Sequence, residues 1–366
     1  MSRSTPDTSL SNRIGVWVSL VALAAVLGAC QEDAADLAGA GQATSTIDAV
    51  TSTPPTSTPP PSTLTGQAVE PCQAGDETIV AAHVADLGGH LVATADGLWM
   101  SRFGSPEVVH VDAATLCPDA TVTVEGADLG VAAMALGDDG LVYVAAAQSG
   151  AVSVIDQERA TASLLAPEAS GAGGLAVADG RLWAVCCGVG GAATRPSGVF
   201  DLASGDLVAE LDIGPGMDVE VVGDTAWIGR TDATGLYQVS LGDGEAEIAE
   251  TNGVGTTTVA VSASEDGVYL VGDEPVLQQW VDGEIQEVSA LPFPRERPVD
   301  IDLSEDGSVF AVSAFGPGLF WIRSDGNAFN LGGAQSLIQV EAVGDWVWTL
   351  DTGGVLTRIA RSGLGG

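Results

Sequence analysis

The sequence predicts an all-β fold, with seven four-stranded units arranged in a closed ring. Three observations support this. The first is composition: there are 48 Gly among 366 residues, with abundant Val and Thr and repeated Asp-Gly pairs, as expected of short strands joined by tight turns. The second is a phrase that occurs seven times, made of a hydrophobic strand, a Gly/Asp turn and a strand carrying one aromatic residue. Its aromatics are Trp99, Tyr143, Trp183, Trp227, Tyr269, Phe310 and Trp348, spaced by 44, 40, 44, 42, 41 and 38 residues. The third is that further β runs follow the phrases, as in "EVVHVD", "AVSVID" and "LFWIRS". A period of about 40–45 residues with several short strands per unit is the signature of a β-propeller blade.

Residues 1–29 come first in the order of elements. Arg3 and Arg13 form a short positive region, and Ile14 to Leu27 is an uncharged apolar run, interrupted only by Ser19, that leads into Leu27-Gly28-Ala29-Cys30. The run has the length of a signal-peptide core and is short for a membrane span. The four-residue ending resembles the bacterial lipobox. That resemblance implies that Cys30 becomes the lipidated first residue of the mature chain. It places the protein at the cell surface, on the outer face of the bacterial cytoplasmic membrane, or in the outer membrane or periplasm of a diderm cell. Two or three acyl chains hold a protein on a membrane at about 0.8 kcal/mol per buried CH2.

Residues 30–71 are acidic and then rich in Pro, Thr and Ser, with no hydrophobic periodicity. Such a segment cannot bury enough apolar surface to offset its ordering entropy, so it reads as a disordered, semi-rigid stalk. Residues 72–366 form the propeller. In each blade the recurring phrase supplies strands a and b, and the runs after it supply c and d, for example "ATVTVEG" and "LVAELDIG". The Asp-Gly pairs fit the turns, where Gly accepts a positive φ, and the strand b aromatic is expected between neighbouring blades. The seventh phrase ends near Arg361 without a fourth strand. The unused run "ETIVAAHVAD" from Glu77 should therefore complete the last blade and close the ring. Cys72 before that run and Cys117 in the first c–d turn fall toward the same rim, which predicts a Cys72–Cys117 disulfide in an exported compartment. Cys186 and Cys187 are adjacent and read as two thiols on opposite faces of a strand, with a vicinal disulfide as the alternative.

The stretch from Met134 to Leu164, "MALGDDGLVYVAAAQSGAVSVIDQERATASL", resembles the YVTN β-propeller repeat, and "VDIDLSEDGSVFAVSAFGPGLFWIRSDG" resembles it more weakly. The resemblance implies a seven-bladed propeller of the exported or surface kind. It assigns no catalytic residue, because the repeat pattern is structural.

Charge narrows the function. There are 49 acidic and 12 basic residues, all of the latter Arg, giving a net charge of −37. This excludes nucleic acid and anionic lipid surfaces as partners of the folded domain and suits a soluble monomer. With the strand a segments aligned on their turns, equivalent positions read Ala93, Ala135, Ala176, Glu220, Ser262, Asp302 and Glu341. Asp218 and Asp300 stand two residues earlier in their blades. Carboxylates converging on a narrow channel repel one another unless protons or a cation intervene, and such oxygen donors suit Ca2+. "DIDLSEDGS" is not an EF-hand loop, since Glu305 stands where that loop needs Gly. The chain has three His, at 83, 90 and 110, and no Gly-x-Ser-x-Gly elbow. Streptogramin lyases are propellers of similar size that use His in later blades, and no His follows His110 here. Lactonases of the gluconolactonase kind use carboxylates and a divalent metal in a propeller channel. Trp280 and Trp321 lie outside the strand b aromatics and fit either a sugar- or protein-binding patch or the filling of a blade interface. Two functions follow: a non-catalytic, lipid-anchored binding or scaffold module for a protein or glycan, or a divalent-metal-dependent hydrolase or lactonase with its site in the channel.

Overall fold

The structure is a computed structural model. It describes residues 67–69 and 79–364, apart from 85–87, 95–96, 170–172, 187–196, 232–233, 243–244, 254, 256, 266, 292–297, 315–317 and 333–335. Cys30, Cys72 and Cys187 lie outside the described residues, as does the signal segment.

Val-rich runs broken by Gly turns form twenty-nine strands among the described residues. Six sheets have four strands each and a seventh has five. The innermost strands, a, are Gly88–Ala93, Val131–Leu136, Gly174–Ala178, Gly216–Val222, Thr258–Ser264, Pro298–Leu303 and Leu337–Val343, in blades 1 to 7. Each packs against the a strand of the next blade, and that of blade 7 packs against that of blade 1. The ring of seven blades is therefore closed, as the period requires.

Closure uses the strand before blade 1. Ile79–His83 pairs antiparallel with Val355–Ala360, placing Ile79 opposite Ile359 and His83 opposite Val355. It is the outer strand of blade 7, so the last blade is built from both ends of the domain. Outside it lies a strand the sequence did not signal: Gln67–Val69 pairs parallel with it, Gln67 opposite Val80. The segment read as stalk thus ends in a strand, too short to show a pattern of its own.

The core is divided among the blade interfaces. Seven hydrophobic clusters each join two adjacent blades, and each contains or contacts one strand b aromatic. Trp99 and Phe310 are 1% exposed. An aromatic ring buries about 150–250 Å², enough to anchor a sheet-to-sheet contact. Rotating one sheet per blade leaves a single inner edge strand facing the axis, and the candidate site is built on these edges.

Candidate functional site

Opposite the strand b aromatics stand Val92, Ala135, Ala176, Glu220, Ser262, Asp302 and Glu341. Six of these match the alignment made on the turns. In blade 1 Val92 faces Trp99 and Ala93 faces Leu98, so the expected Ala93 is one residue off. The count ran from the turn, whereas the ladder is registered on the tryptophan. In six of the seven a–b ladders the pairing shifts by one residue near the start of strand a; blade 3 is regular. A bulge of this kind bends the strand and re-aims side chains beside it. Asp218, Asp300 and Gln339 sit at or next to these bulges.

The re-aimed side chains clip one blade to the next. Every second N–H of strand a faces away from strand b, toward the channel. The Val261 N–H of blade 5 donates to Asp218 Oδ2 of blade 4 at 2.8 Å. The Val340 N–H of blade 7 donates to Asp300 Oδ2 of blade 6 at 2.8 Å. The Leu91 N–H of blade 1 donates to Gln339 Oε1 of blade 7 at 2.6 Å. All three clips join equivalent positions. Two residues along, the Ala342 N–H donates to Asp302 Oδ2 at 2.6 Å, and the Leu303 N–H donates to Ser262 Oγ at 3.0 Å. The Ser262 hydroxyl in turn donates to Asp302 Oδ1 at 3.3 Å. Sequence reasoning singled out the carboxylates as ligands. It missed Gln339 and Ser262, whose signal was their place in the same aligned columns.

All five carboxylates gather at the axis. Each is partly open to the channel and otherwise enclosed by protein. Burial holds Glu341 well above the usual carboxylate range, helped by the charges of Asp302, Asp300, Glu220 and Asp218. Glu341 stands in strand a of blade 7 and Glu220 in strand a of blade 4, three blades apart. Glu220 is likewise raised by burial first, then by Asp218, Asp302 and Asp300. Burial raises Asp302 to about 6, against the hydrogen bonds from Ala342, Leu303 and Ser262. It also raises Asp300 and Asp218, each against backbone N–H donors. Glu220 and Glu341 accept no hydrogen bond from the described residues. Blades 1 to 3 present Val92, Ala135 and Ala176 at the same level, so the channel has an acidic wall and an uncharged one.

Ca2+ needs six to eight oxygen ligands on one ion. Among the described residues no group of three or more His, Cys, Asp or Glu is placed to hold a metal. Three of the carboxylates proposed as ligands, Asp218, Asp300 and Asp302, have oxygens occupied by backbone donors.

The histidines lie apart. His83 is at the exposed end of the closing strand. His110 pairs Nδ1 with Asp119 Oδ1 at 2.6 Å and stacks 5.0 Å from Trp99, leaving Nε2 buried against blade 1. The imidazole therefore faces no nucleophile among the described residues. His90 lies in strand a of blade 1, and burial lowers its pKa to about 4, so the ring is neutral. Trp280 packs on Trp227 at 4.8 Å and Trp321 on Phe329 at 5.4 Å; the two tryptophans fill separate blade interfaces and do not form one patch. "SEDGS" at 304–308 is a turn in which the Ser304 hydroxyl donates to Asp306 Oδ1 at 2.6 Å. Cys186 is a half-buried free thiol.

No protein-family model matches the chain, and no curated protein does. Solved structures are similar to it in fold. A virginiamycin B lyase from Staphylococcus aureus covers 77% of this chain and 98% of its own, at 12% identity and a TM-score of 0.63. A streptogramin B lyase covers 76% and 97%, at 12% identity and a TM-score of 0.64. The computationally designed Ika8 protein covers 81% and 98%, at 13% identity and a TM-score of 0.58. Identities this low establish a shared β-propeller fold and nothing finer.

Proposed function

We propose that the chain is a lipid-anchored surface propeller that captures a partner protein or glycan through one loop face and performs no catalysis. The observation that carries this reading is an apolar pair on that face. Phe103, in the b–c loop of blade 1, is 42% exposed, and Leu129, in the d–a loop leading to blade 2, is 57% exposed. The two loops touch: a Cβ on Gly130 would come within 2.8 Å of the Gly104 nitrogen, and the Val124 N–H donates to Pro106 O at 2.8 Å. Large exposed apolar side chains held on joined loops are what a recognition surface supplies. The YVTN-type pattern and the lipobox at Cys30 support an exported scaffold of this kind. Cys117 is not among the free thiols, in keeping with its pairing to Cys72.

The hydrolase reading draws on the channel carboxylates and on the lyases of the same fold. A virginiamycin B lyase loses its activity when one histidine is replaced by alanine, whereas this chain has no His beyond His110. A photo-reactive phenylalanine analogue at position 103, on the surface of living cells, tests capture. Discrete adducts that vanish in Leu129→Asp support it; no adduct, together with Ca2+-dependent turnover of lactones by the purified chain, overturns it.

A further inference from the structure

Every blade ends in an outer edge strand, and the edges are not protected alike. Such an edge offers unpaired N–H and C=O groups, which proteins ordinarily guard with charge, proline, a bulge or a cover. Blade 7 is covered by Gln67–Val69. Strand d of blade 1, Pro118–Thr123, carries Pro118 and Asp119. That of blade 3, Leu207–Leu211, carries Glu210 and a bulge. Blade 4 presents Glu245, Glu247 and Glu250, and blade 5 presents Glu284 and Glu287. Blade 6 has no charge in Ala328–Gly332, but Phe329 packs on Trp321 and Leu331 is 9% exposed. Blade 2 is the exception. Its strand d, Thr161–Ala166, reads TASLLA, with neither charge nor proline, and Leu164 is 57% exposed. The bulge in this strand lies past Leu164. Among the described residues, nothing from another blade hydrogen-bonds to residues 161–164.

We propose that this edge is a docking strand: an extended segment of a partner protein, apolar at its centre and basic at its ends, adds to blade 2 as a fifth strand. In an antiparallel pair every second residue turns its N–H and C=O away from the neighbouring strand, and another extended backbone is what matches such a row. The domain already seats one, since Gln67–Val69 adds a fifth strand to blade 7. The centre of the segment is set by Leu164, which shares its face of the strand with Ala162. Ala162 packs into the interface with blade 1, whereas Leu164 is left for the incoming strand to cover. The ends are set by charge. Glu158 precedes the strand and Glu168 follows it, both exposed, and Arg159 beside them is paired with Asp156. A second copy of this chain, added antiparallel, would set Glu158 of one beside Glu168 of the other, so like charges oppose it. The edge lies on the rim and does not depend on capture by the loops of Phe103 and Leu129.

The test uses the purified full chain in detergent, at about 0.15 M salt, and a fluorescent peptide of sequence KKTVTVTKK with blocked ends. Anisotropy should report one saturable site. At saturation, amide hydrogen exchange should slow at residues 161–165 and stay unchanged at the acidic edge 245–252. The same peptide N-methylated at every central Thr and Val keeps its charge and side chains but has no central N–H to offer, and it should bind at least tenfold more weakly. The peptide EETVTVTEE should also bind at least tenfold more weakly. Four results overturn the proposal: no saturable binding, equal binding of the N-methylated peptide, equal binding of EETVTVTEE, or slowed exchange elsewhere than 161–165. All four are read on the unaltered chain, so none depends on a variant that must fold. Failure here does not touch the capture reading, whose crosslinks start from Phe103.

Discussion

Arg358 is the side chain whose loss should damage the ring most for its size. It lies in strand c of blade 7 and is 3% exposed. Its Nη1 donates to the carbonyls of Ala113 at 2.6 Å and Ala114 at 3.2 Å in the c–d turn of blade 1. Its guanidinium lies 4.4 Å from the Trp346 ring centroid. It therefore bridges the one junction where the two ends of the domain meet. In Arg358→Met the stem still packs, but the charge and the hydrogen bonds to Ala113 and Ala114 go. Charge-assisted bonds contribute about 1.5–3 kcal/mol each, with the longer one at the low end, and a desolvated cation–π contact about 1–2. Relief of guanidinium desolvation offsets several kcal/mol of this, while two carbonyls left short of donors cost about 1–2 more. The net is a loss of about 2–4 kcal/mol. At roughly 2–3 °C per kcal/mol for a domain this large, the thermal midpoint should fall by about 4–12 °C, read by circular dichroism. Arg358→Lys should fall between, since it keeps the charge without the planar fork. Arg159→Met is the control: its exposed pair with Asp156 belongs to the class of surface ion pairs that contribute little. An Arg358→Met midpoint equal to that of Arg159→Met would refute the seam role.

Two further predictions follow from the channel and the rim. Asp302 is raised to about 6 from an unfolded value near 3.9. The folded chain therefore holds this proton more tightly, and stability falls as pH rises through that window. The other raised channel acids act in the same sense, while His90, neutral down to about 4, opposes them. The midpoint should be higher at pH 5 than at pH 7.5, and Asp302→Asn should flatten the slope; a midpoint rising over that range would contradict the reading. At the rim, peptide mapping without reductant should yield a Cys72–Cys117 linked pair, and Cys117→Ser should lower the midpoint; recovery of both as free thiols would dismiss the bridge.

The ring was legible in the sequence because each blade repeats one packing problem. A strand b aromatic must be buried against the next sheet, so its spacing reports the blade directly, and the missing fourth strand of blade 7 pointed to Ile79–His83. The strand at Gln67–Val69 was not legible, because three residues have no period. The carboxylate column was found by alignment but read as a ligand set. What the alignment could not supply was the bulge, which turns Asp218 and Asp300 toward the neighbouring backbone. Arg358 was invisible for a related reason: its partners are carbonyls of Ala113 and Ala114, and a carbonyl has no sequence signature.

The clips also explain why acid is spread unevenly around the channel. A closed ring removes the outer seam but leaves seven inner edges, each with N–H groups that its own sheet does not use. Blades 5, 6, 7 and 1 receive an acceptor from the preceding blade, through Asp218, Ser262, Asp300 with Asp302, and Gln339. Blades 2 to 4 follow blades whose equivalent side chains are His90 with Val92, Ala133 with Ala135, and Gly174 with Ala176. None of those has an oxygen to offer across the interface; in blade 4 the Val219 N–H is taken instead by Asp218 Oδ1 of its own strand, at 2.9 Å. Carboxylates are strong acceptors for a lone N–H, and gathering three of them costs mutual repulsion that protonation relieves. Backbone satisfaction thus accounts for acid on one wall without any ligand. It gives no reason for Glu220 and Glu341, which accept no backbone N–H from the described residues and add repulsion to the same wall.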